Sequence, residues 1–222
     1  MRKRRALLGV LVVLIGGILT VSAFERVLNL RGQVTVGDLE WSRGADLPVP
    51  RSEVAVAAFG DLVYVVGGLG SGGQALDDVD IYDTKENSWS QGKRLPTPLH
   101  HSAVVTYAGK VYVVGGYHDF SNPSDSVLIY DPGEDSWSKG AEMPTPRGAL
   151  TVQVLEGIIY AVGGEGGGGV LDINEAYDPE TDTWERKASM PTPREHLASA
   201  VVFGKLYVIG GRQGFPGTSN LN

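Results

Sequence analysis

The stretch KVYVVGG (residues 110–116) recurs, little changed, as LVYVVGG (62–68), IIYAVGG (158–164) and KLYVIGG (205–211). The closing pairs Gly67-Gly68, Gly115-Gly116, Gly163-Gly164 and Gly210-Gly211 are spaced 48, 48 and 47 residues apart. A fixed period of this length marks one supersecondary unit repeated, a unit that cannot bury its own faces without neighbours. Each run is apolar at successive positions, which is the pattern of a strand buried on both faces. The glycine pair permits positive φ or close backbone approach.

A second marker keeps the same period. Trp41, Trp89, Trp137 and Trp184 are also spaced 48, 48 and 47 residues apart. Between the two markers each unit reads as four short strands. In the second unit these are SAVVTY, VYVVGG, SVLIY and the segment around Trp137, with Ala108-Gly109 and Asp131-Pro132-Gly133 as turns. The units are joined by LPVPR, LPTPL, MPTPR and MPTPR, whose prolines fix φ and leave the ladder. Innermost positions favour small residues such as Ala55, Ala57, Ala58, Ala198 and Ala200. The Trp and Tyr rings are expected to fill the wider gap between neighbouring units. No stretch after residue 24 has a helical period.

Units of about 47 residues with four strands point to β-propeller blades. The chain resembles the kelch-repeat family. The resemblance rests on Gly-Gly, then Tyr-Asp (Tyr82-Asp83, Tyr130-Asp131, Tyr177-Asp178), then Trp seven residues after each of those tyrosines. It implies an all-β fold, a kelch-type propeller that is incomplete here. Full blades are expected at 51–97, 98–145 and 146–192. Residues 24–50 are a lead-in carrying the outer strand of a partial blade, and 193–222 the first half of a further one.

The net charge is −7, and −11 without Arg2, Lys3, Arg4 and Arg5, which excludes the basic footprint of a nucleic-acid binder. Cys is absent, so disulfides and thiolate sites are excluded. The 31 glycines are about twice the usual share of roughly 7%, and their periodicity argues for ordered turns. The basic cluster and the apolar run after it make residues 1–23 an export signal, cleaved after Ala23, or a retained membrane anchor. Either way the repeats are expected outside the cytoplasm.

In antiparallel units the linker entering the first strand and the loop after Gly-Gly share one face. That face gathers Arg51, Arg147 and Arg194 from the linkers and Tyr117, His118 and Arg212 from the loops; these six are the candidate binding residues. The guanidinium fork suits carboxylates, and the alternative is that each Arg caps carbonyls or pairs with acidic neighbours. His101 and His196 share a repeat position fourteen residues before their glycine pairs. Without carboxylates at suitable spacing, no metal and no cofactor is expected. Gly68–Gly73 and Gly164–Gly169 each fit G-x-G-x-x-G, but no helix follows to receive a phosphate. Asp77, Asp78 and Asp80 read as turn residues rather than calcium ligands.

The resemblance implies a binding module for a protein or a glycan. Its alternative is a carbohydrate enzyme of the epimerase kind, with catalytic groups partly beyond residue 222. A galactose-oxidase-type centre needs a Tyr crosslinked to Cys, which this chain lacks. No catalytic residue is assigned.

Overall fold

A computed structural model describes residues 41–214. The signal or anchor expected at 1–23, lead-in residues 24–40 and tail residues 215–222 lie outside the described residues. The chain divides into two units, Met1–Arg43 and Gly44–Asn222. Among the described residues every regular element is a strand, and no helix is long and apolar enough to cross a membrane.

Three four-stranded antiparallel sheets follow one another. The first contains β1 (Ala55–Phe59), β2 (Leu62–Val66), β3 (Val79–Asp83) and β4 (Ser88–Gln91), in that order. In the second, β5 (Ala103–Tyr107) and β6 (Lys110–Val114) are followed by a small hairpin of β7 (Tyr117–Asp119) and β8 (Asn122–Pro123). Strands β9 (Val127–Asp131) and β10 (Ser136–Gly140) complete that sheet. The third is built the same way from β11 (Thr151–Leu155), β12 (Ile158–Val162), β15 (Asn174–Asp178) and β16 (Thr183–Arg186). Its hairpin is β13 (Glu165–Gly166) with β14 (Gly169–Val170). Strands β17 (Ala198–Val202) and β18 (Lys205–Ile209) form a two-stranded sheet. The first strands β1, β5, β11 and β17 stand beside one another in that sequence. These are blades of an incomplete propeller.

The register places the recurring run on an inner strand of each four-stranded blade. Val111, Tyr112, Val113 and Val114 are all buried. Tyr64 of β2 meets Tyr130 of the next blade edge-on at 6.1 Å, and Tyr112 meets Tyr177 at 6.4 Å. Tyrosines therefore form the wedge between blades. The last sheet shows the same face without a covering blade. Ile209 is 50% exposed, while Val66, Val114 and Val162 at its repeat position are at most 2% exposed.

The glycine pairs do what the sequence implies. All eight glycines have positive φ, and the second amide of three pairs donates across to the next linker: Gly68 N to Leu99 O, Gly116 N to Arg147 O and Gly164 N to Arg194 O, each 2.9 Å. A Cβ on Gly163 would lie 2.6 Å from Arg194 O, so a side chain is excluded there.

The tryptophans also bond to the chain around them. Trp89, Trp137 and Trp184 are partly buried, and each packs on the tyrosine opposite it in its own blade, at 5.0, 5.0 and 5.1 Å. Their Nε1 groups donate to Ala45 O, Lys93 O and Ala141 O in the preceding linker. The amides of those same three residues donate to Asn87, Asp135 and Asp182. Those side chains also accept from Tyr82, Tyr130 and Tyr177. Each Trp is thus half of a clamp on the preceding linker, and Trp137 and Trp184 also pack against the core between blades. Trp41 is fully exposed, and residues 41–54 hold no strand beyond a single bridge at Ser52, so the outer strand expected at Trp41 is not formed there.

Candidate functional site

Single β-bridges tie linkers to post-glycine loops on one face: Ser52 to Leu69, His100 to Tyr117, Gly148 to Glu165 and Glu195 to Arg212. The shared face inferred from strand direction is therefore present. The loops there are held by backbone bonds, which fixes the side chains they carry.

Three of the six candidate residues do not reach that surface. The Arg51 side chain is enclosed and paired with Asp80 and Asp78. Arg147 is enclosed too; it donates to Glu175 Oε2 (2.5 Å), Thr145 O (2.9 Å) and Ala161 O (3.0 Å). Arg194 is buried and donates to Gly210 O and Val208 O. The linker sequence gives the position of these residues but not the direction of the side chain. Inside each blade a carboxylate or bare carbonyls were available, so the guanidinium turned inward. The same finding removes the turn reading of Asp78 and Asp80, which are buried partners of Arg51.

Of the other three, Tyr117 and Arg212 line the mouth. A pocket of about 420 Å³ is lined by His101, Tyr117, Phe120, Glu165, His196 and Arg212, among others. Tyr117 is buried and donates its hydroxyl to Glu165 O at 2.7 Å; burial pushes that hydroxyl up to about 12. Gly148 makes room for this ring, since a Cβ there would strike it. His100 stacks on Tyr117 at 5.7 Å and touches Phe120, which is 70% exposed at the rim. Arg212 bonds Glu195 and is about one-third exposed. His118 stands beside the pocket, 3.3 Å from Pro98 O, and does not line it.

The floor holds a cluster that the linear sequence hid. His101 and His196 lie edge to face at 5.0 Å, and Glu53 joins them. Glu53 also sits fourteen residues before its glycine pair, so a comparison of Glu53, His101, Ala149 and His196 as one repeat position was the available signal. Burial pulls the imidazolium of His101 down to about 4, opposed by Glu53. His196 is lowered by burial and then by Arg212.

Four-stranded sheets stacked through their first strands, each locked to the next by a glycine amide and a Trp clamp, define a propeller built from repeats. A family model, the KLHDC2/KLHL20/DRC7 Kelch-repeats domain, matches residues 27–143 and 92–221. The chain belongs to the kelch-repeat family. A solved structure described as "Structure of YjhT" is similar in fold, with a TM-score of 0.70 and 23% identity. The match covers 78% of this chain and 63% of that one, so this chain spans under two thirds of its length. No curated protein matches the chain. Kelch repeats generally mediate protein–protein interactions.

Proposed function

We propose that this chain is an interaction module that receives a segment of a partner protein in the axial pocket. The observation that carries the reading is the pocket itself: loops from successive blades converge on about 420 Å³, with Phe120 exposed at the rim. An exposed aromatic over a partly enclosed polar floor suits an inserted side chain whose polar end meets Arg212, Ser121 or Glu165. The Tyr117 ring and the bonded linkers keep that floor in place without a ligand, which lowers the cost of binding. Mixed charge at the mouth disfavours simple electrostatic capture and favours a shaped, short epitope.

The test is a peptide library panned against the full chain and against Phe120→Ala/Arg212→Ala. Peptides enriched by the parent should bind the variant at least about tenfold more weakly. Equal binding by both proteins refutes the pocket as the docking site. A glycan array read with the same pair distinguishes a sugar ligand.

We further place the module outside the cytoplasm, on the strength of the basic cluster and apolar run in residues 1–23. An alkaline phosphatase fused behind Asn222 reports this: activity is expected, and an inactive but folded fusion contradicts it.

A further inference from the structure

Three metal-ligating side chains meet at the axis from three different blades. Glu53 enters β1, His101 enters β5 and His196 enters β17, all from the same repeat position. Their backbone is fixed. Each has φ between 51° and 54°, a left-handed conformation that non-glycine residues seldom adopt. An amide relay links them: His196 N to Ala149 O (2.8 Å), Ala149 N to His101 O (2.8 Å) and His101 N to Glu53 O (3.1 Å). Ala149 holds the same conformation in the third blade with only a methyl group. The relay therefore needs no particular side chain, and a carboxylate with two imidazoles at the other three places calls for another reason.

The donor atoms are close and aimed together. His101 Nε2 is 3.3 Å and His196 Nε2 is 3.8 Å from Glu53 Oε2. All three residues can present donors within 4.8 Å of one another. The outer nitrogens are occupied. His196 Nδ1 lies against Glu195, which Arg212 in turn holds, with Arg212 Nη2 3.2 Å from the same nitrogen. His101 Nδ1 is 2.5 Å from His100 Nδ1. A carboxylate behind the distal nitrogen is the usual support of a metal-binding histidine, and Glu195 stands in that place for His196.

We propose that Glu53, His101 and His196 form a site for a divalent transition-metal ion, Zn²⁺ by donor set, with its remaining position open to the axial pocket. Two imidazoles and one carboxylate match zinc, whose three-ligand sites leave a place for water or an incoming group. Donors about 2.0–2.2 Å from the ion stand roughly 3.3–3.5 Å apart in a tetrahedron, close to the 3.3 and 3.8 Å that separate the imidazoles from Glu53. Glu53 is exposed, and rotation of its side chain shortens the longer of these two separations. A bound ion ties three blades together across the axis and offers its open position to an anionic group in the pocket. The inference is independent of whether that group belongs to a protein.

The experiment uses the full chain, stripped of metal by a chelator and titrated with Zn²⁺ by calorimetry. One ion per chain is expected, with a rise in thermal midpoint of about 5–10 °C at a hundredfold excess over Kd, reversed by chelator. His101→Ala and His196→Ala copy the residue native at position 149 and should weaken binding about 100-fold or more, while His118→Ala leaves it unchanged. Co²⁺ in place of Zn²⁺ should give the visible absorption of a low-coordinate site in the parent and lose it in His196→Ala. If a histidine variant does not fold, Glu53→Gln on the exposed side decides, with about tenfold weaker binding expected. Absence of saturable 1:1 binding, or variants that bind Zn²⁺ like the parent, overturns the proposal.

Discussion

Leucine in place of Arg147 alone should destabilise the chain by about 3–5 kcal/mol, and leucine at both Arg147 and Glu175 should restore most of that loss. The reasoning starts from the repeat. Arg147 pairs with Glu175 in the third blade, and Arg51 pairs with Asp80 in the first. The second blade has Leu99 and Leu128 at the same two places, both in one buried core cluster. The registers match: Asp80, Leu128 and Glu175 face Val65, Val113 and Ala161 on the neighbouring strand. Removing only Arg147 leaves the Glu175 carboxylate, 1% exposed, with Thr145 Oγ1 as its remaining donor at 2.8 Å. Removing only Glu175 leaves a buried guanidinium on two carbonyls. An uncompensated buried charge is what makes either single change severe, and an apolar pair of similar volume removes both charges together. The assay is denaturant unfolding of the parent, both single variants and the double variant. Single losses of about 3–5 kcal/mol, a double loss within about 2 kcal/mol of the parent and a coupling of at least about 4 kcal/mol are expected. In thermal melts a single variant should fall by roughly 6–20 °C. Single variants within about 1 kcal/mol of the parent, or a double variant as unstable as the sum, refute the reasoning.

Further outcomes follow from the other repeated devices. Trp137→Ala should cost about 2–3 kcal/mol, less than full burial would imply, and Trp41→Ala within about 0.5 kcal/mol of nothing; urea midpoints separate the two. Gly163→Ala meets Arg194 O and a φ of +64°, so it should lose at least about 2 kcal/mol, whereas Gly167→Ala meets nothing within 4 Å and should be near neutral in the same assay. Asp135 and Asp182 are held below the usual carboxylate range, first by the hydroxyls of Tyr130 and Tyr177 and then by a linker amide. A lowered pKa in the folded state means that their stabilisation is present above about pH 4 and is lost as pH falls through the folded values. Asp135→Asn/Asp182→Asn, copying Asn87, should therefore flatten the acid limb of a melting-temperature profile; an unchanged limb contradicts the clamp.

The fold was legible because two unrelated residue types kept one period, and both types do bonding work at their positions. Glycine pairs mark the sites where a linker carbonyl comes too close for a Cβ, and Trp marks the donor that clamps a linker. Half of the clamp went unseen: Asn87, Asp135 and Asp182 have φ between 44° and 54°, a preference of Asn and Asp that their recurrence two residues before Trp encodes. The site was only partly legible. Tyr117 and Arg212 reach the mouth because the loops after Gly-Gly carry them there. The three linker arginines looked identical in kind, yet direction depends on what the opposite strand offers. The paired change from Arg and acid to Leu and Leu in the middle blade was the readable sign. Glu53 was missed because the two histidines of that repeat position were compared with each other, and the carboxylate at the same position 48 residues before His101 was not.

The central claim is that each blade is locked to the next through the amide of its second glycine. Amide hydrogen exchange on ¹⁵N-labelled chain reads this directly. Gly68, Gly116 and Gly164 should exchange as slowly as the central strand amides of Val65, Val113 and Ala161, while the turn glycines Gly72 and Gly168 exchange freely. Fast exchange at all five glycines, with the strand amides still protected, would contradict the account.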